Sequence, residues 1–262
     1  MVMVAAIAAA AIAEAQGQQP LRVTHLEREV DLTTQNLVVV SVMQVRNANK
    51  DPVSSFSYCF GDIMKGRDLL WIEFDEGDSG EHNGNPTTPL SWAFDEDGQC
   101  ITVQLQAPLK KDKETTIELY EVYLANFVGA PGKMKQTDQQ IVKFEDFDVV
   151  VDHPALDIAE QITKVTVPTP NVKHVTEVQP TTVDSNSITY GPYKGHKGSR
   201  SATLIFEYPV PLIEVESVVR NITVSSWGDI QVEEHYHIKN VGPEFESGFS
   251  RADFTLRPSA HI

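Results

Sequence analysis

Four groups of residues have types and spacings that could do chemistry. His235 and His237 stand two apart, with Glu233 two residues before them. Residues two apart share one face of a strand, so the three could offer nitrogen and oxygen ligands to a metal ion. His153, His174 and His196 are isolated in the sequence and form no second cluster to complete a coordination sphere, so a solvated polar face is the plainer reading. Glu233-Glu234 and Asp95-Glu96-Asp97 could supply a glycosidase acid and base. With 37 Asp and Glu in the chain, a hydrated surface explains such pairs more simply. Asn221-Ile222-Thr223 is an N-x-T acceptor for N-glycosylation, whereas Pro86 blocks the similar Asn85-Pro86-Thr87. The fourth group is Cys59 and Cys100, the two cysteines of the chain. They are either a disulfide or two buried thiols acting as small hydrophobes.

The motifs of common catalysis are missing from the sequence. It holds no G-x-S-x-G, H-E-x-x-H, P-loop, G-x-G-x-x-G or EF-hand spacing. The residues therefore predict a protein without catalytic machinery of its own, with no cofactor and no bound metal.

The elements that would position these groups read as strands. Leu37 to Val45 (LVVVSVMQV) is a β-branched run predicted to be buried on both faces or nearly so. Leu21 to Leu32 fits a strand face nearly as well as a helix stripe. In Thr116 to Leu124, Ile117, Leu119 and Tyr123 alternate with Glu118. Further β segments fall at 69–74, 101–105, 141–151 and 164–167. Turn signals every 8–15 residues, with no long amphipathic helix, predict a mainly β protein built on an antiparallel sandwich. Residues 77–86 read as an exposed loop.

A change to Gly-rich, locally basic sequence near 185–200 suggests a boundary. The expected plan is a signal peptide at 1–15, a first domain at 16–190, a linker at 191–203, and a second β-rich domain that begins in 204–262. Within the last piece, Ile213, Val215 and Val219 alternate with Glu214, Glu216 and Arg220. Ile230, Val232, Tyr236 and Ile238 alternate with polar residues after Trp227-Gly228-Asp229, which reads as a hairpin turn between two half-buried strands.

Charge and leader narrow the setting. A formal net charge of −16 argues against nucleic acid, which binds through clustered Lys and Arg. Met1 to Ala15 is an apolar run ending in Ala13-Glu14-Ala15, the form of a secretory cleavage site after Ala15. An oxidising compartment would favour the Cys59–Cys100 bond and glycosylation at Asn221.

Two collinear blocks, Leu21 to Gln35 (LRVTHLEREVDLTTQ) and Ile213 to Phe254, resemble the ribophorin I family. SxWGxIxVEE and GFSRxDF are the distinctive parts of the second. The resemblance implies a lumenal β-rich portion of a non-catalytic subunit of the oligosaccharyltransferase of the endoplasmic reticulum. It implies partners among the catalytic and other subunits and nascent secretory polypeptides. Membrane contact would come through the complex or through a C-terminal transmembrane helix. The reading it competes with is a secreted adhesion or carbohydrate-binding β-sandwich.

Overall fold

The computed structural model describes residues 21–59, 69–77, 87–96, 100–153 and 156–256. The expected leader with its cleavage position at Ala15, and most of the 77–86 loop, lie outside these residues. In chain order the strands are β1 (Leu21–Asp31), β2 (Asn36–Arg46), β3 (Val53–Cys59), β4 (Leu69–Glu76), β5 (Thr88–Pro89), β6 (Trp92–Phe94) and β7 (Cys100–Leu109). They continue as β8 (Glu114–Leu124), β9 (Val128–Gly129), β10 (Lys133–Met134), β11 (Ile141–Val150), β12 (Leu156–Ile158) and β13 (Glu160–Thr166). The last are β14 (Val172–Val175), β15 (Thr181–Asp184), β16 (Ser187–Lys194), β17 (Arg200–Glu207), β18 (Ile213–Val224), β19 (Ile230–Asn240) and β20 (Glu244–Phe245), followed by a short helix α1 (Arg251–Leu256). No helix among the described residues is long and apolar enough to cross a membrane.

A nine-stranded sheet, ordered β15-β16-β13-β1-β2-β8-β4-β5 with β12 also on β1, forms one whole layer. It is mixed, because β1 pairs β2 antiparallel but runs parallel to β12 and β13. Two smaller sheets, β3-β7-β6 and β14-β17-β11-β9, share the opposing layer side by side. Each closes its own apolar core against the large sheet. Leu26, Met43 and Leu119 pack with Phe56, Ile101 and Val103 on one side. Val30, Val39 and Tyr123 pack with Phe144, Leu204 and Phe206 on the other. The large sheet thus spans two cores with one continuous face.

Three expectations change here. The stretch 191–203, expected as a linker, is largely β16 and β17, and Tyr193 and Ala202 are buried. Gly195 and Gly198, between these two strands, both take positive φ. Second, β2 is buried on one face only, with Val38, Val40 and Val42 half-buried on the other. Third, β18 and β19 form a two-stranded sheet whose residues are exposed on both faces, not half-buried.

Candidate functional site

Where the two cores meet, each central strand carries a polar residue at an inward position. β1 reads Leu26-Arg28-Val30 on that face, β2 reads Met43-Ser41-Val39, and β8 reads Leu119-Glu121-Tyr123. In each triplet the outer two side chains belong to different cores and the middle one is polar. Arg28, Ser41 and Glu121 line a cavity of about 50 Å³ together with Tyr58, Asp148 and His153. That volume has room for roughly four waters.

Side chains aim their polar atoms at one another across this seam. Glu121 is 2% exposed, and the Tyr123 hydroxyl donates to its Oε1 at 2.6 Å. Arg28 donates to the Asp148 carbonyl at 2.7 Å, tying the large sheet to β11. Gln161 and Thr163 on β13 do the same for Val151 and Val149, with bonds of 2.7 to 3.0 Å. His153 accepts the Cys59 amide at 2.7 Å through Nε2 and stacks on Tyr58 at 5.1 Å. Cys59 lies directly opposite Cys100 in the β3–β7 ladder, with the sulfurs 2.13 Å apart.

Burial sets the ionisation of these groups. It raises the Glu121 carboxyl, against the opposing pull of the Tyr123 hydroxyl, the Arg28 charge and the Tyr58 hydroxyl. It raises the Tyr58 and Tyr123 hydroxyls as well, helped by Glu121. His153 is pushed down to about 4, chiefly by burial. An N–H donor on Nε2 also needs the unprotonated ring.

Glu121 carries a testable sign. With a folded pKa above the unfolded one, the native state holds the extra proton, so stability falls as pH rises through that window. Glu121→Gln keeps an acceptor for Tyr123 and cannot ionise. It is expected to be more stable than wild type at pH 8, with the advantage vanishing below the unfolded carboxyl range. Urea titrations at both ends check this, and a constant difference would refute it.

The residues singled out in the sequence fall elsewhere. His235 contacts Glu233 at 3.1 Å, and His237 contacts Glu216 of the facing strand at 2.8 Å, all on an exposed surface. No group of three or more metal-ligating side chains occurs among the described residues. Glu233 and Glu234 pair with Asn221 and Arg220 and so point to opposite faces of β19; they cannot flank one sugar. Asp97 lies outside the described residues. The seam itself was missed. Its signal was Glu121 at the same parity as Ile117, Leu119 and Tyr123, and Ser41 inside a run of valines.

The hairpin is the second feature. Ser225 caps its turn, accepting from the Asp229 amide at 3.0 Å, and Gly228 takes φ 89°. A bulge between Val215 and Ser217 shifts the phase, so Val218 and not Val219 follows Val215. One face then holds the pairs Val215–Ile238, Val218–Tyr236, Ile222–Val232 and Val224–Ile230, with an Arg220–Glu234 ion pair midway. Asn221 and both histidines occupy the other face.

A two-layer mixed β-sandwich with a closed polar seam and a projecting apolar hairpin is the class of protein these features define. Residues 21–261 match the Ribophorin I family model, and the chain belongs to that family. It is 25% identical over 250 residues to "Dolichyl-diphosphooligosaccharide--protein glycosyltransferase subunit 1B" of Oryza sativa subsp. japonica, covering 92% of this chain and 52% of that protein. It is 25% identical over 247 residues to subunit 1A of the same name from Arabidopsis thaliana, covering 91% and 40%. The chain thus spans about half the length of these relatives, or less. An M1 zinc metallopeptidase from Deinococcus radiodurans aligns with a TM-score of 0.38 at 14% identity, over 85% of this chain and 48% of that one. That likeness is too distant to carry an argument.

Proposed function

We propose that the chain is a lumenal portion of an accessory, non-catalytic subunit of the oligosaccharyltransferase of the endoplasmic reticulum. In that role it supports transfer of a dolichol-linked oligosaccharide to Asn of N-x-S/T sequons in nascent polypeptides. The observation that carries this is the family match across residues 21–261. The names of the relatives point to the same complex. A lumenal setting accords with the apolar leader, the cysteine pair and the Asn221 sequon. Catalysis belongs to another subunit in this reading, and the chain contributes surfaces.

The hairpin suits the start of a second β-rich unit. An isolated two-stranded sheet is marginal in water. This one is held to the first unit at its base, where Gln35 bonds both the amide and the carbonyl of Ile213 at 3.1 and 3.0 Å. A second unit would begin after Leu212, whose carbonyl accepts from Val241, and would cover the apolar face while leaving Asn221 open on the other.

Affinity purification of the full-length gene product from membranes tests the assignment. The catalytic subunit is expected to co-purify, and endoglycosidase is expected to shift the wild type by one glycan more than an Asn221→Gln variant. Recovery without any transferase subunit, together with glycan binding by the purified protein, would instead favour a secreted carbohydrate-binding role.

A further inference from the structure

The sequence of β2 is that of a strand buried on both faces, yet the fold buries one. Its outward valines belong to an ordered lattice on the solvent side of the large sheet. Across β1, β2, β8 and β4 the cross-strand rows read Asp31–Val38–Val122–Trp71, Glu29–Val40–Tyr120–Glu73 and Glu27–Val42–Glu118–Asp75. Val38, Val40, Val42, Val122 and Tyr120 occupy the two central strands beside Glu118, and Trp71 extends the apolar row onto β4, with Trp71 58% and Tyr120 38% exposed. Carboxylates stand on β1 (Glu27, Glu29, Asp31) and on β4 (Glu73, Asp75) to either side of them. Lys164 reaches Glu29 at 3.5 Å. At the far side Asp75 Oδ1 is buried without a hydrogen-bond partner, and the Asp75 carboxyl is raised by burial and by its neighbours Glu73 and Glu118.

We propose that this outer face docks a polypeptide segment with an apolar centre flanked by Lys or Arg side chains. Three properties select that occupant. The valine run needs a second apolar layer to account for its composition. The carboxylates Glu27, Glu29, Glu73 and Glu118 on that face complement the Lys or Arg side chains of such a segment. The same carboxylates oppose the other candidates: a second copy would set acid against acid, and an anionic lipid surface would be repelled. Neither the seam nor the hairpin takes part, and the inference does not depend on the assignment to the transferase.

The test uses the full chain and defined probes. A peptide alternating Leu and Lys is expected to bind saturably, at one per chain, and more weakly as salt rises. Trp71→Ala combined with Tyr120→Ser should weaken it about tenfold or more, the scale of losing aromatic anchors. Both side chains point to solvent, so circular dichroism and melting should be unchanged. Ile222→Ser combined with Val232→Ser on the hairpin should leave affinity unaltered. A matched Leu–Glu peptide and phosphatidylserine vesicles should not bind. The proposal is overturned if the Leu–Lys peptide does not bind, if both double variants bind alike, or if the vesicles bind. It is equally overturned if the chain self-associates through Trp71 and Tyr120.

Discussion

Between pH 7 and pH 4 the wild-type chain is expected to lose about 3 kcal/mol of stability that a His153→Gln variant keeps, given a folded pKa of about 4 against an unfolded value near 6.5. Above pH 6.5 the ring is neutral in both states and contributes no slope. As pH falls below 6.5 the unfolded chain takes up a proton that the folded one refuses. The unfolded state then binds more protons, and stability drops until the pH reaches about 4, where both are charged. Burial keeps the folded ring neutral, and Nε2 accepts the Cys59 amide. Gln places an amide oxygen where Nε2 accepts that N–H, so the variant retains the bond without a titrating group. Denaturant midpoints measured at half-unit intervals would give the difference directly. Parallel curves for the two proteins would remove His153 from the account.

The opposite slopes of His153 and Glu121 follow from one cause, burial of different charge types in the same seam. His153 penalises acid and Glu121 penalises base, so the two slopes oppose each other as pH rises from the carboxyl range toward neutrality. That conclusion needed the fold. Strand periodicity made the two faces of β8 legible, and with them Ile117, Leu119 and Tyr123 as core. It did not say that two cores would meet above Glu121, because apart from Tyr123 on the same strand the groups acting on that side chain, Arg28 and Tyr58, come from β1 and β3, distant in sequence. The Trp227-Gly228-Asp229 turn was legible for a local reason: positive φ at Gly228 is a property of the turn itself. The Glu216 bulge was not, since strict alternation from Val215 assigns Val219 to the wrong face. Nor was the fate of 191–203. Glycines there signal turns, but whether the chain between turns pairs with β13 and β11 depends on edges made more than 25 residues earlier.

Removing the cysteine pair should have the largest effect of any change considered. Replacing both Cys59 and Cys100 by Ala is expected to cost about 4 kcal/mol, the chain-entropy value for a loop closed across 41 residues. The penalty acts through the unfolded chain, which regains the freedom of the segment between β3 and β7. The folded ladder is already aligned there by the pairs Ser57–Thr102 and Tyr58–Ile101. Two measurements separate this from simple loss of packing. Dithiothreitol should lower the midpoint of the wild type by a similar amount and leave the double Ala variant unmoved. Two thiols without a bond would not respond to the reductant, and the double variant would then lose only the small transfer term of two side chains. Because a disulfide does not titrate, its loss should displace the whole stability curve downward and leave the slope between pH 6.5 and 4 intact. A flattened slope would mean that the cross-link also holds the Cys59 amide against His153, making the two contributions one coupled unit rather than two.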